Sequence, residues 1–515
     1  MMKRALLLCG IALLFLVALT TVNKGTALAA TALNPSVEQE EHLTYKDVNY
    51  LDLLWGKGYA IPYHLKRFNF YDLFVDWGGS TATLLRFDFN KDKNRQKKDT
   101  VRDIQRLLLY VYANVRYQNW FRYYVKFRNI YHGHDYYPDD NKFVGPDVDQ
   151  MYGEFLFEPF NLVVGRQFHK VGRGHVYRNN FDAIKLMYSD DFMDIDMYIG
   201  KVLGDNQDPY IPNNQQNKYP IGITATYKEF MKHLFQGYIV GVMDRSDDQL
   251  YYRNSNYKPV YFGTYGIGRF DINKYKIRSL TYYFETVKTI GTSSVSDFSP
   301  AANRYDSETI DTFLLDLGAI IRIDHPWKPE IENEFVWGSG DGTVPLYGDI
   351  QIHPSSATVD QVAQGAPGFV GVPTLYKNQR GNVSSILRGN PKGSKDQNWR
   401  GIDGYVNYGV ALNPIVSNML IYKFGAKLYP IKRLTIDINS YAYWKQHADG
   451  AISDYAAILP GRTFIGNEID IGFMYDLTRY SRATFVYGHF FTGNVYPNNA
   501  HTDEDFLQLV YQYVF

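Results

Sequence analysis

Residues 106–129 read RLLLYVYANVRYQNWFRYYVKFRN, two runs of alternating character around the short segment YQN at 117–119. The second run sets Phe121, Tyr123, Val125 and Phe127 against Arg122, Tyr124, Lys126 and Arg128. Since successive side chains of a strand point to opposite faces, each run predicts a strand with one apolar and one polar face. A strand of a β-sandwich alternates too, so the pattern by itself leaves two all-β folds open.

The links between the predicted strands decide between these folds. Short links (YQN, SDD, DINK, PIKR and LTRY) alternate with long polar ones such as NKDKNRQKKD at 90–99 and the stretch from 338 to 402. An outer membrane imposes this alternation, because turns on its periplasmic side only close hairpins while the outer loops are long. The sequence therefore predicts an all-β protein: a transmembrane antiparallel β-barrel of about 18 strands over residues 76–515, with short periplasmic turns and long extracellular loops.

The final stretch, DEDFLQLVYQYVF at 503–515, supports the same fold. Its apolar phase runs through Leu507, Leu509, Tyr511 and Tyr513 to Phe515. No strand edge can face lipid, so the last strand of a barrel must pair with the first. We expect residues 503–515 to close the barrel, with Phe515 at the periplasmic interface, where aromatic residues form a belt.

The N-terminal residues predict export from the cytoplasm. Lys3 and Arg4 precede the apolar run ALLLCGIALLFLVAL, and Ala27-Leu28-Ala29 follows as a small-residue cleavage site. These three parts are those of a secretory signal peptide, here residues 1–29. Residues 30–75 are predicted to be a periplasmic leader or plug segment, with an extra hairpin as the alternative.

The composition excludes several classes of protein. Lys and Arg total 54, as do Asp and Glu, so no positive field predicts a nucleic-acid partner. The only cysteine, Cys9, lies in the predicted signal peptide, so thiol chemistry is not expected in the mature chain. An exported, Tyr-rich chain of alternating strands is expected in the outer membrane of a Gram-negative bacterium, in contact with lipid and lipopolysaccharide.

Four segments resemble the alginate export family of outer-membrane proteins. They are FEPFNLVVGRQFHKVGRGHVYRNNFDAIKLMY at 157–188, VWGSGDG at 336–342, LYKNQRGNVSSILRG at 375–389 and FIGNEIDIGFMYDLTRY at 464–480. The resemblance is patchy from about residue 78 to the C-terminus. It implies an 18-stranded monomeric barrel with an arginine-rich constriction that passes an anionic exopolysaccharide.

The resemblance also implies roles for individual residues. Its basic positions match Arg166, Arg173, Arg380 and Arg388, and the acids that would brace these arginines match Asp182, Glu468 and Asp470. The chain departs from the family at Gly153 and in TFVYGHFFTG at 484–493, where the family has arginine. These departures leave the identity of the polymer open.

Apart from the resemblance, the alternation of the strands predicts a basic wall inside the barrel. Arg106, Arg122, Lys126 and Arg128 fall on inward phases of adjacent strands. Rings of arginine and lysine select anions, and guanidinium groups match the carboxylates of a uronate polymer. A balanced polar lining, in which acids such as Glu332 and Glu334 pair with these cations, is the alternative.

Two functions stay open, and a third has little support. The first is export of an anionic, alginate-like exopolysaccharide, with a periplasmic scaffold of a secretion complex as a further partner. The second is uptake of small nutrients or ions through the same barrel. An outer-membrane enzyme would need a nucleophile and base that the sequence does not offer, so no catalytic residue or cofactor is predicted. His132, His134 and Asp135 lack the fixed spacing of a metal site, and none is predicted.

Overall fold

The structure is a computed structural model of a single chain. It describes residues 66–70, 72–90, 101–133, 142–202, 218–228, 233–244, 255–296, 305–340, 416–448, 461–478, 480–496 and 502–515, together with 395–396, 406, 408–412, 414, 452 and 459. The described residues belong to one compact unit, Pro62–Phe515. The predicted signal peptide lies outside the described residues.

Twenty β-strands make up the regular structure, and the described residues contain no helix. The first ten are β1 Lys66–Phe70, β2 Leu73–Phe89, β3 Val101–Tyr117, β4 Phe121–Gly133, β5 Lys142–Phe157, β6 Phe160–Val171, β7 Tyr177–Ser189, β8 Met193–Val202, β9 Lys218–Tyr227 and β10 His233–Asp244. The others are β11 Ser255–Lys274, β12 Ile277–Ser296, β13 Tyr305–Ile323, β14 Glu330–Gly338, β15 Lys395–Asp396, β16 Met419–Ile431, β17 Leu434–Lys445, β18 Phe464–Thr478, β19 Ser481–Thr492 and β20 Glu504–Val514.

Eighteen of these strands, all except β1 and β15, form a closed antiparallel barrel. Each wall strand pairs with its neighbours along the chain, and β14 pairs with β16 because β15 only adds a short parallel contact to β13. The barrel closes where β20 pairs with β2, from Val514 opposite Ser80 to Asp505 opposite Phe89. The predicted fold class, strand number and closure by the last strand are confirmed.

The first strand, β1, lies in line with the last. It pairs with the beginning of β2, Lys66 opposite Trp77 and Phe70 opposite Leu73, below the point where β20 ends. One edge of β2 pairs with β3. The other edge pairs first with β1 and then with β20, so it has a hydrogen-bonded partner along nearly its whole length. The barrel wall begins at Leu73, slightly earlier than the predicted residue 76, and β1 forms a hairpin with it.

The two faces of the wall differ as the alternation requires. On β11 to β13, Tyr261 and Asp316 are fully buried toward the interior, while Phe262 and Leu317 are more than two-fifths exposed on the outside. Exposed apolar side chains on the outer face suit contact with lipid. Since the inward phase carries most of the buried polar side chains, polar chemistry is concentrated in the lumen.

Links on the periplasmic side have two to six residues, as predicted. The turn between β11 and β12 is Tyr275–Lys276, with φ of 52° and 62°, which is the geometry of a tight hairpin turn. It lies beyond the predicted DINK link, because β11 continues to Lys274. None of the described residues forms a helix that could cross a membrane.

Candidate functional site

Two segments leave the wall and enter the lumen. The first is the five-residue link 172–176 between β6 and β7, whose Val176 is fully buried. The second is the segment before β16 formed by the described residues 408–412, 414 and 416–418, whose Tyr408 is fully buried. Both lie on the side of the long loops, and both contact strands other than those that carry them.

The link 172–176 is held against the opposite wall by its backbone. The N–H of Gly172 donates to Oε1 of Gln236 on β10 at 2.9 Å, and the N–H of Arg173 donates to Oε2 of Glu285 on β12 at 3.0 Å. Gly172 has a φ of 56°, and a Cβ there would overlap the carboxylate of Glu285. This close approach requires glycine, so the sequence Gly172-Arg173-Gly174 lets the chain cross the lumen.

The side chain of Arg173 joins two buried acids on neighbouring strands. Its Nη1 forms ion pairs with Asp316 on β13 and Glu334 on β14, and its guanidinium lies 4.2 Å from the centroid of the Tyr283 ring. Burial opposes the charge of Arg173, but Asp316 and Glu334 outweigh this effect and keep the pKa of the guanidinium well above its usual value. Arg173 is therefore a permanent cation in the lumen, with 22 % of its side chain exposed.

One carboxylate accepts several hydrogen bonds from the second segment. Glu468 on β18 accepts the backbone N–H groups of Val410, Ala411 and Leu412 at 2.6, 2.7 and 3.1 Å, and the hydroxyl of Tyr443 at 3.1 Å. Three consecutive N–H groups around one carboxylate form a concave cradle. Glu468 therefore fixes the segment against the inner surface of β17 and β18.

The two segments meet at a buried polar cluster. Nε2 of His175 lies 2.8 Å from Oδ2 of Asp316, and the hydroxyl of Tyr408 lies 3.2 Å from the same nitrogen. The rings of His175 and Tyr408 are stacked, with centroids 6.1 Å apart. Burial, and next the charge of Asp316, raise the pKa of Tyr408, so its hydroxyl remains a donor. A continuous polar network thus crosses the barrel from β6 to β18.

The predicted basic wall is a ladder of ion pairs. Lys126 contacts Asp149 at 2.6 Å, Arg128 contacts Asp147 at 3.1 Å, and Arg122 pairs with Glu154, so every cation of β4 faces an acid of β5. Lys126 also lies 4.4 Å from the centroid of the Tyr110 ring. In this region the lining is balanced, which is the alternative that the sequence left open.

Arg166 and Asp182 do not lie on the luminal phase. They face each other across β6 and β7, and Nε of Arg166 donates to Oδ1 of Asp182 at 3.0 Å. Their phase is that of Val164 and Ile184, which are 40 % and 53 % exposed on the outer surface. The resemblance placed this pair in the lumen, and the register corrects that expectation.

The remaining predicted site residues are Glu468, Asp470, Arg380 and Arg388. Asp470 lies beside Glu468 on the luminal phase, and among the described residues neither carboxylate has an arginine partner. Arg380 and Arg388 lie outside the described residues. The sequence analysis did not predict three members of the luminal network, Glu285, His175 and Tyr408. Asp316 was missed too, although a lone acid in the apolar run FLLDLGAII at 313–321 is a signal that could have indicated it.

Comparison with known proteins gives the family and supports the fold. The family model described as alginate export matches residues 80–509. Among solved structures, OpdK of Pseudomonas aeruginosa, crystallised with vanillate, has 8 % identity and a TM-score of 0.51, covering 86 % of this chain and 98 % of its own. OccK8 (OprE) of the same organism has 9 % identity and a TM-score of 0.49, covering 85 % and 98 %.

At this identity, the solved structures show likeness of fold alone. A comparison with curated proteins gives no match. The family match, by contrast, spans the barrel from the first wall strand to the last. The chain is an outer-membrane porin of a Gram-negative bacterium, and it belongs to the alginate export family.

Proposed function

We propose that this porin exports an anionic, alginate-like exopolysaccharide through its lumen. The observation that carries the proposal is the family match over residues 80–509, which includes nearly all of the barrel wall. A polymer of this class carries about one carboxylate per sugar and needs cations that it can contact in sequence. Three features of the lumen support this transport.

The first support is the position of Arg173. Its guanidinium lies where the link 172–176 crosses the lumen, so a solute that passes this link meets a cation. Guanidinium groups offer forked donors that match carboxylates. Arg173 is thus suited to contact each uronate of a moving chain.

The second support is the pairing of the luminal cations. Lys126, Arg128 and Arg173 each have an acid partner within the lumen. A row of uncompensated cations would hold a polyanion tightly through many simultaneous contacts. Transport requires binding that is favourable enough to admit the polymer and weak enough to release it, and paired cations provide this.

The third support is the presence of two luminal segments that narrow the barrel. Held by Glu285 and Glu468, they reach from opposite walls and meet at His175 and Tyr408. A narrow path brings a single polymer chain close to the lining, and a wide aqueous channel would not. The proposal includes a monomeric barrel that receives the polymer from a periplasmic scaffold.

Release from liposomes tests the proposal. Proteoliposomes are loaded with a fluorescently labelled oligouronate, or with a neutral oligosaccharide of the same length and label. We expect faster release of the oligouronate, with heat-denatured protein as the control for leakage. Equal release of both, or release of small carboxylates only, would overturn the export function in favour of a nutrient porin.

A further inference from the structure

A cavity of about 470 Å³ opens inside the barrel at the periplasmic ends of β9 to β13. It is lined by Lys228, His233, Leu234, Ile267, Gly268, Arg269, Thr281 and Arg322. Arg269 shares the phase of Tyr261, and Arg322 that of Asp316, so both arginines lie on the luminal side. The cavity is separate from the network around Arg173, which lies further toward the long loops.

Three of the lining side chains are cations, and they are partly exposed. The exposed fractions are 31 % for Lys228, 39 % for Arg269 and 30 % for Arg322. No acidic residue lines the cavity among the described residues. As on β4 and β5, each cation has an acid partner nearby, but here the partners are not among the residues that line the cavity.

Each of these cations is held in place by an acid outside the cavity lining. Lys228 contacts Asp194 at 2.7 Å, Arg269 contacts Asp271 at 2.9 Å, and Arg322 contacts Glu330 at 3.1 Å. Arg322 is further oriented by Nη1, which donates to the hydroxyl of Thr281 at 2.7 Å. These contacts fix the three cations around the cavity before any ligand arrives, which lowers the entropic cost of binding.

The remaining lining is apolar and suits the less polar face of a sugar. Leu234 and Ile267 share the luminal phase and provide this surface. The cavity volume lies within the range of about 300–1,000 Å³ that is usual for small-molecule sites. An apolar floor with several convergent cations is the chemistry expected for a ligand that combines a sugar ring with a carboxylate.

The turn next to the cavity is also basic. Lys274, Lys276 and Arg278 are exposed at the end of the β11–β12 hairpin, and the N–H of Asp324 donates to the carbonyl oxygen of Lys276 at 2.6 Å. Clustered charge of one sign raises the local concentration of an oppositely charged ligand. Basic side chains beside the cavity favour the approach of an anion from the periplasm.

We infer that this cavity is a periplasmic intake subsite, which binds a uronate residue of the polymer through Lys228, Arg269 and Arg322. The inference rests on the proposed function for the identity of the ligand. The cavity would recognise an anionic group on a compact polar molecule. A uronate carries such a group, and a phospholipid headgroup carries one as well. The luminal phase of Arg269 and Arg322 favours a solute over a lipid, which contacts the outer face.

Binding to the full-length protein in detergent tests the inference. A uronate disaccharide is titrated by calorimetry into the wild type, Arg269→Gln, Arg322→Gln and the control Arg482→Gln. Arg482 is also paired, with Asp476 at 2.6 Å, but it lies on β19, away from the cavity. Heat-modifiable migration on gels verifies that each variant is folded.

We expect saturable binding of the disaccharide to the wild type, weakened at least about tenfold in both cavity variants and changed by less than about twofold in Arg482→Gln. A neutral disaccharide, titrated in the same way, should not bind. No saturable binding, or equal binding by all four proteins, would overturn the subsite.

Two further arms separate the possible outcomes. If inorganic phosphate or anionic phospholipid in mixed micelles displaces the disaccharide at equal or lower concentration, the site belongs to phosphate chemistry and the inference fails. If the disaccharide binds as expected but liposomes do not release oligouronate, the subsite stands and the export function fails.

Discussion

Phe515 and Gly79 exchange two backbone hydrogen bonds across the seam of the barrel. The N–H of Gly79 donates to the carbonyl oxygen of Phe515 at 3.0 Å, and the N–H of Phe515 donates to that of Gly79 at 2.9 Å. The Phe515 ring covers the glycine, and a Cβ at position 79 would lie 2.7 Å from the carbonyl oxygen of Tyr110. Because the Phe515 ring and the Tyr110 carbonyl oxygen fill the space beside residue 79, the seam leaves room only for glycine there.

Closure of the barrel should fail when either partner is changed. Deletion of Phe515 removes the two hydrogen bonds, and Gly79→Val forces β2 away from β3 and β20, at a cost of about 1–3 kcal/mol. We expect a smaller folded fraction for both variants, measured by heat-modifiable migration on gels.

Gly237→Ala is the matched control for this prediction. Gly237 lies on wall strand β10, and a Cβ there would have no neighbour within 4 Å. This variant should fold like the wild type. If the deletion or Gly79→Val folds as well as Gly237→Ala, the seam does not govern assembly.

The sequence predicted the wall well, because lipid on one side and water on the other impose a period of two. Along β4, Arg122, Lys126 and Arg128 share a phase opposite Phe127, and the structure retains that assignment. Along β6, apolar residues occur on both phases in FNLVVGRQF at 160–168, so the period does not reveal which side faces lipid. The period therefore offered no check on the family resemblance, which placed Arg166 in the lumen.

The luminal network could not be predicted from local pattern. Arg173 and Asp316 are 143 residues apart in the chain, and their contact depends on a link that crosses the lumen. Periodicity assigns a face to a strand residue, but it assigns no partner to a residue in a link. The glycines that flank Arg173 were the only local indication that the chain could turn inward there.

Arg173→Gln should loosen the link 172–176, because only its backbone contacts to Gln236 and Glu285 and the contact of His175 with Asp316 remain. Asp316 and Glu334 are almost fully buried, and loss of their shared cation leaves two close acids, a change that costs about 3–5 kcal/mol. We expect a larger single-channel conductance with more frequent fluctuations in a planar bilayer.

A second substitution tests whether the two acids left without their cation cause the change in conductance. Glu334→Gln, added to Arg173→Gln, removes one of the two acids and should return the conductance part of the way to the wild-type value. Arg433→Gln, at the periplasmic β16–β17 turn, is the control and should have no effect. A single variant with wild-type conductance and noise would contradict the role of Arg173 as a clamp.

Glu468→Ala should free the second luminal segment. Each N–H of Val410, Ala411 and Leu412 that loses its buried acceptor costs about 1–3 kcal/mol, so the segment should leave the wall. Cysteine labelling measures this change, because the only native cysteine is Cys9, in the predicted signal peptide. Ala411→Cys should react slowly with a water-soluble maleimide in the wild-type background and quickly together with Glu468→Ala.

Asp437→Ala serves as the control for labelling. Asp437 lies on β17 and contacts Lys427 at 3.8 Å, without a contact to the segment. The labelling rate of Ala411→Cys should not change in this background. Equal rates in all three backgrounds would show that Glu468 does not hold the segment.

Ion selectivity should separate the luminal arginine from the one on the outer face. Arg173→Gln removes a cation from the lumen, so the permeability ratio of anions to cations should fall by about 1.5- to 5-fold, the range that a screened interaction of about 0.2–1 kcal/mol allows. Arg166→Gln removes a cation whose partner is Asp182 on the outer phase, and it should leave the ratio unchanged. Reversal potentials under a salt gradient across a planar bilayer measure both ratios. A shift with Arg166→Gln that equals the shift with Arg173→Gln would place Arg166 beside the ion path and would contradict the register of β6 and β7.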